Sequence, residues 1–311
     1  MKKRFKLLID TDIGDEIDDA LALYLAMDMD CELVGVTTVF RNAVERARLT
    51  KRLLSEYGKG YERVPVYAGY CDPLGMEVRK WGHTCHYSSE IDGEEYRPDG
   101  NTPEDAVDFI IDCCKKYGED LIVVAIGPFT NIARVIQKDA EALSKVKNVV
   151  IMGGAFYKQY ADWNVMCDTL ATDLMFRSLG NLVCLGADVT HTLDVGEKNY
   201  ATLLECGNRG GALSYLCGLI RLWREENPSR CPTLHDPLAV YYVLDRSICK
   251  TEDITVKVIT DGYARGLTLN VESYSKAYMN SAYEGDPLPR VTVAKTVESR
   301  KFIDLFMEHF T

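Results

Sequence analysis

No stretch of the 311-residue chain approaches the ~18 uninterrupted apolar residues that a membrane-spanning helix needs. The basic start MKKRFKLLID falls short of a secretion signal as well, because its apolar run stops after about four residues at Asp10. Cys-x-x-Cys pairs are absent, and the 11 cysteines stand at irregular spacings, several inside apolar runs such as Leu182-Val183-Cys184-Leu185. An odd number cannot fully pair, so they read as reduced, core-filling thiols of a cytoplasmic protein. Positive charge is also scarce. A net charge of −11 leaves no basic face, which excludes a nucleic-acid polymer or an anionic membrane as partner and leaves small neutral ligands and cations open. There is no internal repeat and no low-complexity tract. Hydrophobic residues at 47% and charged residues at 27% exclude a disordered or fibrous chain.

What is present is an alternation of short apolar runs with segments of helical length. It runs through Phe5 to Ile9, Ile17 to Met29, Glu32 to Val39 and Val44 to Tyr57. It continues through Pro65 to Ala68, Pro103 to Tyr117, Leu121 to Ile126, Pro128 to Gln137 and Val149 to Met152. Runs buried on both faces and separated by helices predict an open, Rossmann-like α/β fold, a mostly parallel sheet with helices on both faces. Nothing reads as a linker, so one domain over residues 1–311 is expected. The last third, with helical stretches at Gly211 to Glu226 and Asp236 to Leu244, reads as a C-terminal extension of that domain. Extended segments at Ile254 to Ile259, Leu267 to Val271 and Val291 to Val297 are expected to add antiparallel strands, before a final helix from Glu298 to Phe310. The polar stretch from Cys71 to Thr102 is long enough to suggest a functional loop. Ligands in open α/β sheets bind beyond the carboxyl ends of the strands, so chemistry is sought just after each run.

After the first run come Asp10, Asp12, Asp15, Glu16, Asp18 and Asp19, six carboxylates within ten residues. Packed at the end of a buried strand they repel one another unless a cation or solvent screens them. A hard divalent cation with oxygen ligands resolves that repulsion, and Gly14 permits the tight turn the loop requires. The spacing is not that of an EF-hand. Asp15 and Glu16 read more simply as N-cap and first-turn acids of the following helix. Asp10, Asp12, Asp18 and Asp19 read as functional, since uncompensated charge at a buried strand end is costly.

Asp10-Thr11-Asp12-Ile13-Gly14 followed by Ile17-Asp18-Asp19-Ala20-Leu21-Ala22 resembles the N-terminal signature of the inosine-uridine preferring nucleoside hydrolases, D-x-D-P-G-x-D-D-A in its best-known form. Ile13 stands for the proline, and Asp15 and Glu16 are added. Four further segments resemble the same family in order: Thr37-Thr38-Val39 with Asn42, Ala125 to Asn131, Met152-Gly153-Gly154 with Ala161-Asp162-Trp163-Asn164, and His235 to Val240. Asp162 stands where the family usually has Glu.

The resemblance implies Ca²⁺-dependent hydrolysis of the N-glycosidic bond of a ribonucleoside. By that precedent Asp12, Asp19, Asp236 and the Ile126 carbonyl are the metal ligands, with the ribose diol completing the shell. Asp12 is the general base toward a water, Asp18 contacts the 2′-hydroxyl, and Asn42, Asp162 and Asn164 position the sugar. His235 is the candidate acid for the leaving base, against the plainer reading of a structural neighbour of Asp236. His191 reads as a satisfied polar group, and Trp163 is expected to pack in the core beneath the site. Trp81, Tyr87 and Tyr96 stack on a base or are ordinary surface residues. His83 and His86 flank Cys85 without the second pair of ligands that zinc requires. The resemblance further implies a homodimer or homotetramer. Two other functions compete: a nucleoside- or pentose-binding homologue without turnover, and a Mg²⁺-dependent phosphohydrolase built on Asp10-Thr11-Asp12. The self-repelling cluster disfavours the first, and the lack of a Gly-rich phosphate cradle the second.

Overall fold

Leu7, Leu8 and Ile9 are all fully buried, which a strand achieves only when apolar cover lies on both of its faces. The computed structural model, which describes residues 5–75, 94–273 and 288–310, supplies that cover. Strand β1 (Phe5–Thr11) leads into helix α1 (Asp18–Asp28), then β2 (Cys31–Thr38), α2 (Ala43–Tyr57) and β3 (Val66–Ala68). Next come α3 (Pro103–Tyr117), β4 (Leu121–Ala125), α4 (Thr130–Lys138), β5 (Asn148–Met152), α5 (Trp163–Cys167), α6 (Thr169–Ser178) and β6 (Leu182–Leu185). Helices α7 (Ala187–Thr190), α8 (Gly196–Glu205), α9 (Gly211–Glu226) and α10 (His235–Tyr242) follow. The described chain closes with β7 (Cys249–Val258), β8 (Thr268–Asn270), β9 (Arg290–Val297) and α11 (Ser299–Glu308).

These strands form one nine-stranded sheet in the order β3-β2-β1-β4-β5-β6-β9-β7-β8. Strands β1 to β6 pair in parallel, as the buried runs predict. The C-terminal third differs from expectation in one respect. Strand β7 runs antiparallel to both β8 and β9, but β9 itself pairs in parallel with β6, so the extension enlarges the main sheet.

Side chains alternate between the two sheet faces, as the period of two demands. Leu7 and Ile9 of β1 and Ile122 and Val124 of β4 join one apolar cluster with α1, α2, α9, α10 and α11. Leu8, Val123 and Ala125 join the other with α3, α4 and α6. Helix α1 is buried along Asp18 to Met27, against the sheet and α10. A charged first turn so deeply enclosed is the feature that demands a chemical explanation.

Register fixes where the site lies. Asp10 stands level with Thr37 of β2 and Ala125 of β4, so Asp12, Val39 and Ile126 all emerge just past the strand ends. Strand order reverses direction between β1 and β4, which opens a crevice there.

Candidate active site

Gly14 adopts φ 117, a conformation that residues with a Cβ avoid, and so lets the β1–α1 loop fold back over the strand ends. Gly127 lets the β4–α4 turn pass close beneath it, since a Cβ there would come within 2.8 Å of the Asp12 backbone nitrogen. The loop is pinned from below by Arg46 of α2. Its fully buried guanidinium donates to the carbonyls of Phe40 (2.9 Å), Ile13 (2.9 Å) and Asp12, and pairs with Asp15 at 2.9 Å.

Above the crevice lies a cavity of about 480 Å³ lined by Asp12, Asp18, Asp19, Asp162, Asn164, His235 and Asp236, with the Ile126 segment in its wall. Carboxylate oxygens of Asp18, Asp19 and Asp236 come within 4.8 Å of one another, and all three residues are buried. Asp236 begins α10, and its backbone N–H donates to Asp18 at 3.3 Å, which ties the amino ends of α1 and α10 together. Thr11 donates to Asp19 at 2.5 Å.

Burial and mutual repulsion shift these groups strongly. Desolvation pushes Asp12 up to about 7, with Asp15 and Asp10 adding to the rise and the Arg46 charge opposing it. Asp18 also reaches about 7, from burial first and then Glu16. Asp19 and Asp236 are likewise raised well above the usual carboxylate range, by burial first and then by neighbouring aspartates. Four buried acids facing a shared space, all of them hard oxygen donors, fit a hard divalent cation.

The sugar-binding candidates divide. Asp162 caps α5 by accepting the Val165 N–H at 3.2 Å, and burial pushes its carboxyl to about 6. Asn164 donates to the carbonyls of Ile126 (2.8 Å) and Met152 (3.2 Å), so the carbonyl expected as a metal ligand already accepts one hydrogen bond. Asn42 stands at the N-cap of α2 and is not among the cavity-lining residues, whereas Arg41 beside it is.

His235 lines the cavity with Nδ1 2.7 Å from the Thr190 hydroxyl. Burial, then His191 and Arg230, push its pKa down to about 4. The ring is therefore neutral at pH 7, which weakens its standing as a ready proton donor.

Several expectations are corrected. Asp10 points away from the cavity. One of its oxygens accepts from Thr37 (2.6 Å) and Asn131 (2.8 Å), tying β1 to β2 and α4. The other has no hydrogen-bond partner among the described residues, and burial lifts the group to about 7. Asp15 and Glu16 do not cap α1, whose N-cap is Ile17. Asp15 pairs with Arg46 and with Arg41 (3.5 Å), while Glu16 accepts the Trp223 indole N–H at 2.8 Å and pairs with Arg230 at 3.2 Å. Trp163 is 43% exposed on the cavity wall, because α5 is a single short turn whose amino end faces the site. His191 also lines the cavity, with its ring 5.3 Å from that of His235 and 5.0 Å from that of Tyr160. Its place at the end of α7, the single turn that follows β6, is the signal that the strand-end rule offers. Tyr96 packs against the core. Trp81, His83, Cys85, His86 and Tyr87 lie outside the described residues.

The sequence profile described as inosine-uridine preferring nucleoside hydrolase matches residues 7–304. An inosine-uridine preferring nucleoside hydrolase of Leishmania major is 31% identical over 269 residues, 83% of this chain and 84% of that protein. Uridine nucleosidase 1 of Arabidopsis thaliana is 29% identical over 277 residues, 86% of this chain and 82% of that one. Among solved structures, a purine-preferring ribonucleoside hydrolase from Gardnerella vaginalis superposes with a TM-score of 0.78 at 27% identity, covering 98% of each chain.

Proposed function

The chain belongs to the inosine-uridine preferring nucleoside hydrolase family, and from that premise we propose that it hydrolyses the N-glycosidic bond of ribonucleosides with Ca²⁺ held at the carboxylate cluster. That it is an enzyme follows from the family and from relatives named as hydrolases and nucleosidases. One observation carries the finer reading: Asp12, Asp18, Asp19 and Asp236, from distant parts of the chain, line a single cavity together with Asp162, Asn164 and His235.

We assign Asp12, Asp19, Asp236 and the Ile126 carbonyl as the residues that hold the cation. When bound, it supplies Lewis acidity that lowers the pKa of a water and neutralises the cluster. Asp12 accepts the proton of the attacking water. Asp18 accepts a hydrogen bond from the 2′-hydroxyl, and Asp162 and Asn164 help to position the sugar ring. As the glycosidic bond lengthens the ring gains oxocarbenium character, and the buried carboxylates around it stabilise that charge. His235 Nδ1 lies 2.7 Å from the Thr190 hydroxyl, and in the tautomer that accepts from that hydroxyl Nε2–H faces the departing base and donates to it as negative charge develops there. His235 is thus the group we assign to the leaving base, as the candidate acid.

The relatives' names span uridine and purine preference, so the identity of the base is left to assay. We place the enzyme in the cytoplasm, a setting that its mostly buried cysteines at irregular spacings suit. Among the described residues no helix is long and apolar enough to cross a membrane. The test is a panel of ribonucleosides assayed for released base with Ca²⁺ and with a strong chelator. Base release that the chelator abolishes is expected; release unaffected by it ends the metal reading, and no release from any nucleoside ends the reaction.

A further inference from the structure

Arg41 occupies a costly piece of backbone. Phe40 (φ 70) and Arg41 (φ 54) are successive non-glycine residues in the left-handed region, where a Cβ crowds the chain. Such strain persists only where the surroundings impose it. Here the Phe40 N–H donates to the Tyr70 carbonyl at 2.8 Å and the Arg41 N–H to the Cys71 carbonyl at 2.7 Å. Arg46 donates to the Phe40 carbonyl at 2.9 Å, and the Phe40 ring is buried. The result is a guanidinium on the cavity wall, 3.5 Å from Asp15 and 5.7 Å from the centre of the Trp163 ring. Its side chain is only 7% exposed.

Sheet order tells which part of a bound nucleoside this guanidinium meets. The end of β2 lies on one side of β1 and β4, and the end of β6 lies on the other, beyond β5. Arg41 follows β2. His191 follows β6 through α7 and packs edge-on to His235. In a ribonucleoside the 2′ and 3′ hydroxyls share one edge of the ring, while the base on C1′ and the carbon C5′ on C4′ splay to opposite sides. With the diol toward the carboxylate cluster and the base toward His235 and His191, C5′ comes to the β2 side.

We propose that Arg41 is the specificity residue for the 5′ position, its guanidinium donating to the oxygen on C5′, so that the enzyme selects nucleosides with a 5′-hydroxyl over those without one. This inference rests on the nucleoside hydrolase reading above. A guanidinium carries five N–H donors in a planar fork, enough to serve Asp15 and a ligand oxygen together. Asp15, one of the two residues added to the loop, is then a positioning residue that fixes the fork.

The experiment compares kcat/KM for uridine and inosine with their 5′-deoxy counterparts, using the full-length protein with Ca²⁺. The wild type is expected to lose about 10- to 100-fold on the 5′-deoxy substrates, as befits a hydrogen bond from a charged donor. Arg41→Ala is expected to lose a similar factor on the 5′-hydroxyl substrates and little on the 5′-deoxy ones, with Arg41→Gln intermediate. Equal losses on both substrate types in Arg41→Ala overturn the proposal. So does a wild type that cleaves 5′-deoxy and 5′-hydroxyl substrates equally well, a result that needs no variant to fold. Absence of base release from every substrate by the wild type falls instead on the reaction assignment.

Discussion

Asp12→Asn is expected to abolish turnover and at the same time stabilise the metal-free protein at pH 8, by an amount that vanishes in acid. Burial raises the Asp12 carboxyl from 3.8 to about 7. Its folded value lies above the unfolded one, so the associated stability is complete below pH 3.8 and is lost as pH climbs through about 7. The span of about three units corresponds to about 4 kcal/mol, and because neighbouring carboxylates share the repulsion, about 2–4 kcal/mol belongs to Asp12 alone. At about 2 cal/mol/K per residue of unfolding entropy, that range raises the melting temperature of a chain this long by about 3–6 °C. Urea unfolding in excess chelator, followed by fluorescence of the buried Trp223, measures the difference at pH 4.5 and pH 8. Ca²⁺ should then close the gap, since at 1,000 times its Kd a ligand adds about 4.1 kcal/mol to the wild type and less to a variant whose amide has lost the carboxylate charge. Equal stability of the two proteins at pH 8 without metal, or an advantage of the same size at both pH values, would refute the argument that Asp12 carries a buried, uncompensated charge.

Asp19→Ala and Asp236→Ala should each raise the Ca²⁺ concentration needed for half-maximal base release by at least tenfold, read from titrations of chelated enzyme; an unchanged requirement removes that residue from the ligand set. His235→Ala should cost more on inosine or uridine than on an activated p-nitrophenyl riboside, in kcat/KM, and equal losses would take the imidazole away from the leaving group. Arg46→Met removes the 2.9 Å partner of Asp15 and the guanidinium that donates to three carbonyls, so a loss of about 3–5 kcal/mol is expected in urea unfolding, and Arg46→Lys should recover little because an ammonium cannot reproduce the fork. Glu16→Ala should cost about 1–3 kcal/mol by orphaning the Trp223 indole N–H. Unchanged stability there would make that contact dispensable.

The parallel half of the sheet was legible because β1, β2, β4 and β5 are apolar on both faces, a pattern that few other structures produce. Strand β6 hid in plain view: four residues containing a cysteine read as core filling without declaring a direction. The parallel placement of β9 depends on a partner more than a hundred positions away, which no local period encodes. Within the site, the aspartates announced themselves by crowding, whereas Arg41 lines the cavity at the second of two left-handed residues, neither of them the glycine or asparagine that usually marks such a turn. Asp15 and Glu16 looked like helix-start acids because their true partners, Arg46, Trp223 and Arg230, are distant in sequence. Trp163 was misplaced for a related reason, since an aromatic residue signals burial without saying that the helix beneath it is one turn long.

The position of β9 between β6 and β7 has a consequence for how the molecule is born. A chain emerging from the ribosome completes β1 to β6, and with them the floor of the catalytic crevice, while the outer edge of β6 still has nothing to pair with. Strands β7 and β8 arrive next and find no docking place, because the strand that joins them to the rest is threaded last. Until it arrives, the nascent protein carries an open parallel edge, the kind of surface on which chaperones act and aggregates start.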